Sequence, residues 1–143
     1  MLYPDDMERA LTRPAGLAKV LLVEDDPNDP WLLRRALLRV APAVELRVIT
    51  DGRSAVDHLE AGAAPSLLLL DIHLPRLSGW DVLRWVKGRE AFGAVPVLMW
   101  TSLPTPEGAE RSRALGAAGY FSKPQTASGF LQVASAVCAH LGD

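Results

Sequence analysis

Leu67-Leu68-Leu69-Leu70-Asp71 is a run of leucines that ends abruptly in a carboxylate. Such a run has no polar side to turn toward water. A strand of this texture must be covered on both faces, as in a parallel sheet sandwiched between helices. A buried helical segment is the competing reading. The run is short and Pro65 stands just before it, so a strand is expected.

Outward from this run the same texture recurs. Lys19–Val23, Val44–Thr50, Val95–Trp100 and Gly119–Phe121 are short and rich in leucine or β-branched residues. Between them, apolar residues fall at helical spacing over Trp31–Val40, Ser54–Ala61, Gly79–Gly88, Glu107–Leu115 and Thr126–Leu141. This alternation predicts an α/β domain with a parallel sheet. Pro27 and Pro30 suit a first helical turn, where a missing N–H has no partner to lose. Gly62 and Gly116 fall where helices should stop. Residues 1–18, with two prolines and mixed charge, read as an N-terminal extension to a single domain over 19–143.

Composition narrows the function. The 143 residues are 49% hydrophobic and 22% charged, a globular balance. A net charge of −2 gives no global attraction to DNA or to an anionic membrane. A single cysteine, Cys138, excludes an internal disulfide and a cysteine-based zinc site, and it reads as a small buried hydrophobe. No apolar run approaches the about 20 positions of a membrane span. The acidic start, without an apolar core segment, is unlike a secretory signal. A cytoplasmic location is expected.

In an open parallel sheet, ligands bind beyond the carboxyl ends of the strands. The first run ends in Glu24, Asp25 and Asp26, the third in Asp71, and the fourth in Thr101-Ser102. The fifth leads into Ser122-Lys123-Pro124. Any one of these carboxylates alone would be read as a helix cap or turn former. Complementary groups on four strand ends point instead to a site. Clustered carboxylates repel unless a cation lies among them. Magnesium, or manganese in its place, suits a site with few protein oxygens because it keeps waters and shares phosphate oxygens. Beside such an ion, Asp71 is a plausible nucleophile toward a phosphoryl group, with Lys123 and the ion neutralising its oxygens.

Four segments then carry a resemblance. Val-Glu-Asp-Asp-Pro-Asn-Asp (23–29), Leu-Leu-Asp-Ile-His-Leu-Pro-Arg-Leu-Ser-Gly (69–79), Pro-Val-Leu-Met-Trp-Thr-Ser (96–102) and Gly-Ala-Ala-Gly-Tyr-Phe-Ser-Lys-Pro (116–124) occur in this order. Together they resemble the receiver domain of two-component response regulators. The resemblance implies a flavodoxin-like (βα)5 sandwich with strand order 2-1-3-4-5. It implies that Asp71 is the phosphoacceptor, that Glu24, Asp25 and Asp71 hold the metal, and that His73 adds a backbone carbonyl. Asp26 is left to cap the first helix. By the same resemblance Thr101 senses the phosphoryl group, Tyr120 swings from an exposed to a buried position with it, and Lys123 bridges to it. A cis Lys123-Pro124 bond is expected on the same ground.

His73 departs from the asparagine or methionine usual at a place where receivers tune phosphoryl lifetime. Trp100 adds bulk before Thr101 and reads as packing. The chain ends soon after the last helix, so a stand-alone receiver is expected, a phosphoprotein whose output is a protein contact. Its partners would be a sensor histidine kinase, of the bacteriophytochrome type by resemblance of the 23–37 segment, and a second copy docked through residues 105–142. No DNA or membrane partner is expected. The alternatives are a pseudo-receiver scaffold that never takes phosphate, and an aspartyl-phosphate hydrolase. The hydrolase reading requires a second Asp where His73 stands.

Overall fold

The computed structural model describes residues 18–62 and 64–141. The expected extension, residue 18 apart, lies outside these residues. Five strands alternate with five α-helices: β1 (Lys19–Val23), α1 (Asn28–Val40), β2 (Glu45–Ile49), α2 (Gly52–Ala61), β3 (Leu67–Asp71), α3 (Gly79–Lys87), β4 (Val97–Thr101), α4 (Pro106–Ala114), β5 (Gly119–Ser122) and α5 (Ala127–Leu141). A 3-10 turn at Glu90–Phe92 precedes β4. All strands are parallel, in the order β2-β1-β3-β4-β5. This is the flavodoxin-like order that the resemblance implies.

The leucine run behaves as its texture requires. Leu68 and Leu70 face one core, with Leu21, Val23, Val97 and Met99, against Val56 and Leu59 of α2 and Val82, Leu83 and Val86 of α3. Leu67 and Leu69 face the other, with Val20, Leu22, Leu98 and Trp100, against Leu33 and Leu37 of α1 and Phe130, Val133 and Val137 of α5. Each fully buried leucine contributes about 1.5–3 kcal/mol before ordering entropy is subtracted. Cys138 packs half-buried beside the second core, and burial raises its thiol above the usual value. Phe130, Val133 and Val137 are thus committed to the sheet and not to a second copy.

Register brings the strand ends into line. Val23 pairs with Leu70, Asp71 with Trp100, and Thr101 with Ser122. Helix starts anchor the loops around them. Asp51 accepts the Ser54 N–H at 2.7 Å, Ser78 that of Asp81 at 3.2 Å, and Thr105 that of Gly108 at 2.9 Å. Gly116, at φ 99°, makes the left-handed turn that ends the α4 segment. α4 is the least anchored helix: Ser112 is its one buried residue, and Arg111 stacks on the Trp80 ring of α3 at 4.6 Å.

Candidate functional site

At the carboxyl edge, Glu24, Asp25 and Asp71 each place a carboxylate oxygen within 4.8 Å of the others. Glu24 and Asp71 are buried, whereas Asp25 is exposed. A small oxygen-seeking divalent cation fits this donor set, since three carboxylates on one open edge leave positions for waters.

Lys123 is the counter-charge. Its Nζ lies 2.6 Å from Glu24 Oε1, 2.8 Å from Asp71 Oδ2 and 3.3 Å from Asp29 Oδ2. The ammonium also sits 5.5 Å from the centroid of the Trp100 ring, an orientation the π face favours. Burial alone would lower its pKa, but the hydrogen bonds to Asp71 and Glu24 outweigh this and hold it charged, above the usual lysine value. Burial pushes the Glu24 carboxyl up to about 7 against the opposing pull of Lys123 and the Asp26 N–H.

The acceptor carboxylate is held at both oxygens. Asp71 Oδ2 faces Lys123, and Oδ1 accepts the His73 N–H at 3.1 Å. That bond folds the 71–73 loop back toward the carboxylate, with the His73 side chain exposed at the rim. Thr101 is fully buried at the next strand end, and its Oγ1 accepts the Leu103 N–H at 3.1 Å.

The 123–124 peptide bond is trans, as is every peptide bond among the described residues, so the expected cis bond is corrected. The lysine reaches the pocket nonetheless. Its N–H donates to the Thr101 carbonyl at 2.8 Å, which fixes the backbone at the site's edge, and the long side chain spans the rest. The Tyr120 ring is half-buried against the α2–α3 side of the core, not exposed. Its hydroxyl accepts the Thr105 N–H at 3.0 Å, and the missing side chain of Gly108 leaves room for it. Pro27, not Asp26, occupies the N-cap position of α1, which has no side-chain cap; Asp26 Oδ1 instead accepts the Asn28 N–H at 2.9 Å in the turn that leads into the helix. Trp100 is buried as packing, edge-to-face with Phe130 at 6.4 Å. Asp29, in the first turn of α1, has no role in the sequence reading. Its place at the start of a helix that opens beyond β1 was the available signal.

The sequence pattern described as "Response regulator receiver domain" matches residues 20–135. The chain belongs to the response regulator receiver domain family. This is a family of signalling proteins that work with histidine kinases, not of classical enzymes. The chain is 32% identical over 124 residues to the polar-differentiation response regulator DivK of Brucella ovis, covering 87% of this chain and 96% of DivK. Among solved structures, the phosphorylated cyanobacterial phytochrome response regulator RcpA is similar at TM-score 0.77 and 26% identity, covering 84% of this chain and 90% of RcpA. The Mn(2+)-bound response regulator Rcp1 is similar at TM-score 0.75 and 26% identity, covering 84% of this chain and 91% of Rcp1. The acidic triad of this receiver domain suits a divalent cation. None of its described helices is long and apolar enough to cross a membrane.

Proposed function

We propose that this receiver domain accepts a phosphoryl group on Asp71 from a histidine kinase, with magnesium held by Glu24, Asp25 and Asp71 and by the His73 backbone carbonyl. The observation that carries this reading is the half-buried ammonium of Lys123, 2.8 Å from Asp71 Oδ2 and flanked by the carboxylates of Glu24 and Asp29. An acceptor needs positive charge close by, because transfer places additional anionic oxygens next to a carboxylate that is already negative.

In the step itself, an Asp71 oxygen attacks the phosphorus, forming an acyl phosphate. The bond from phosphorus to the donor breaks, and the donor leaves as a histidine imidazole or, from acetyl phosphate, as acetate. When bound, magnesium supplies Lewis-acid neutralisation of the phosphoryl oxygens. Lys123 donates to the transferred group. The burial of Asp71 and Glu24 strengthens that interaction by excluding water.

The Thr101 hydroxyl can exchange its acceptor role toward Leu103 for donation to a phosphoryl oxygen. Tyr120 is tied to the N-terminus of α4 through Thr105, so a shift at Thr101 is passed to a weakly anchored helix. We read the output as a changed protein contact on the face formed by α4, β5 and α5. The likeness to RcpA and Rcp1 supports a phytochrome-type kinase as the donor's source. DivK, which the chain nearly spans, supports action as a single domain.

The test is phosphoryl uptake from acetyl phosphate, followed by intact-protein mass. Wild-type protein should gain one phosphoryl group with magnesium and none with chelator. Asp71→Asn should gain none. Undiminished uptake by Asp71→Asn contradicts the reading.

A further inference from the structure

We infer that Asp29 is a positioning residue for phosphoryl transfer: it holds the Lys123 ammonium over Asp71 when the other carboxylates of the pocket are engaged elsewhere. The inference rests on the function proposed above. An ammonium has three N–H donors and no acceptor. Here three carboxylates surround it, at 2.6 Å (Glu24), 2.8 Å (Asp71) and 3.3 Å (Asp29).

Two of these partners have competing duties. Glu24 and Asp71 belong to the triad suited to a cation, and Asp29 does not. Glu24 and Asp71, which face Lys123 here, would also be ligands of a cation held with Asp25 and would then have oxygens engaged elsewhere. Asp29 is then the carboxylate left to it. The Asp29 side chain is only 17% exposed and Lys123 10%, so the pair is shielded from the water that makes surface ion pairs weak. Asp29 sits in the first turn of a helix that packs Leu33 and Leu37, one and two turns further along the same face, into the core, so its carboxylate is carried on a rigid element. A lysine without this second anchor has a long, flexible stem and open solvent within reach.

Asparagine at this position keeps an oxygen acceptor for the ammonium and removes only the charge. Alanine removes both. The chain has three lysines, Lys19, Lys87 and Lys123, so selective nitrogen-15 labelling gives few ammonium signals, and Lys123→Arg assigns the one of interest. With saturating magnesium the Lys123 ammonium should be protected from exchange with water in wild type and Asp29→Asn and lose that protection in Asp29→Ala, whereas without a cation Glu24 and Asp71 should keep it protected in all three. With acetyl phosphate and saturating magnesium, Asp29→Ala should be phosphorylated roughly tenfold more slowly, as for loss of an outer-shell partner. Asp29→Asn should stay within about twofold of wild type, and Asp29→Ala should add nothing in a Lys123→Ala background.

An Asp29→Ala protein that, with saturating magnesium, keeps either the protected signal or the wild-type rate overturns the assignment. So does an Asp29→Asn protein that loses as much as Asp29→Ala. If wild-type protein takes up no phosphoryl group at all, the proposed function fails. The ammonium signals then still report whether Asp29 holds Lys123.

Discussion

Gly79 lies so close to the backbone of Asp71 that a methyl group at position 79 would collide with the Asp71 carbonyl oxygen. The contact is reinforced by the Gly79 N–H, which donates to the Ile72 carbonyl at 2.9 Å. The start of α3 is thereby pressed against the strand end that carries the acceptor. Gly79→Ala should destabilise the domain by about 1–3 kcal/mol, as overpacking does. Gly88, in ordinary right-handed conformation at φ −79° with a Cβ position in van der Waals range, is the control. Gly88→Ala should be neutral or stabilising by up to about 1 kcal/mol. Urea unfolding of both variants checks the contrast.

Two tryptophans should behave in opposite ways. Trp100 is fully buried under Lys123, whereas Trp31 is 56% exposed on α1. Trp100→Ala should cost about 3–5 kcal/mol, the range for deleting a large core aromatic. Trp31→Ala should stay within about 0.5 kcal/mol, as for surface changes. Thermal melts of the two variants decide it.

The pH dependence of stability has a marked contributor at Asp51. Its carboxyl is held below the usual 3.8 by the Ser54 N–H and hydroxyl, against a small burial effect. A lowered folded pKa means that the unfolded chain binds the proton more readily. The stabilisation is therefore present above pH 3.8 and is lost as pH falls through the lower folded value. Asp51→Ala should be less stable than wild type at pH 7, and the gap should narrow at strongly acid pH. Denaturant midpoints at the two pH values measure it.

The order of strands and helices was legible because the apolar runs are too short for a membrane and the central ones, β1, β3 and β4, are too continuous for a half-exposed strand. The leucines of β3 show this best, being buried alternately in the two cores. Asp71, Glu24 and Asp25 were legible because strand ends converge in this topology. Asp29 was not, since a carboxylate in a first helical turn ordinarily serves the helix dipole. Its partner lies on a segment distant in sequence. The half-burial of Tyr120 was not legible for a similar reason: it depends on the Thr105 N–H and on the empty space at Gly108, which no local pattern reveals. The trans bond before Pro124 shows that the reach of a lysine stem, not the isomer of its peptide bond, carries the charge to Asp71.

The Thr105–Tyr120 tie can be cut without disturbing the acceptor. Tyr120→Phe removes the hydroxyl that accepts the Thr105 N–H at 3.0 Å. Stability should fall by about 0.5–1.5 kcal/mol, the net worth of one hydrogen bond. Amide exchange at Thr105 should accelerate, while phosphoryl uptake from acetyl phosphate should be unchanged in extent.

The central claim is that Asp71 itself receives the phosphoryl group, and borohydride trapping tests it most directly. An acyl phosphate is reduced by borohydride to the alcohol, which converts the modified aspartate to homoserine, and peptide sequencing then locates it. After incubation with acetyl phosphate and magnesium, homoserine should appear at position 71, and chelator should abolish it. Homoserine at Asp25, Asp26 or Asp29, with position 71 unmodified, would contradict the account.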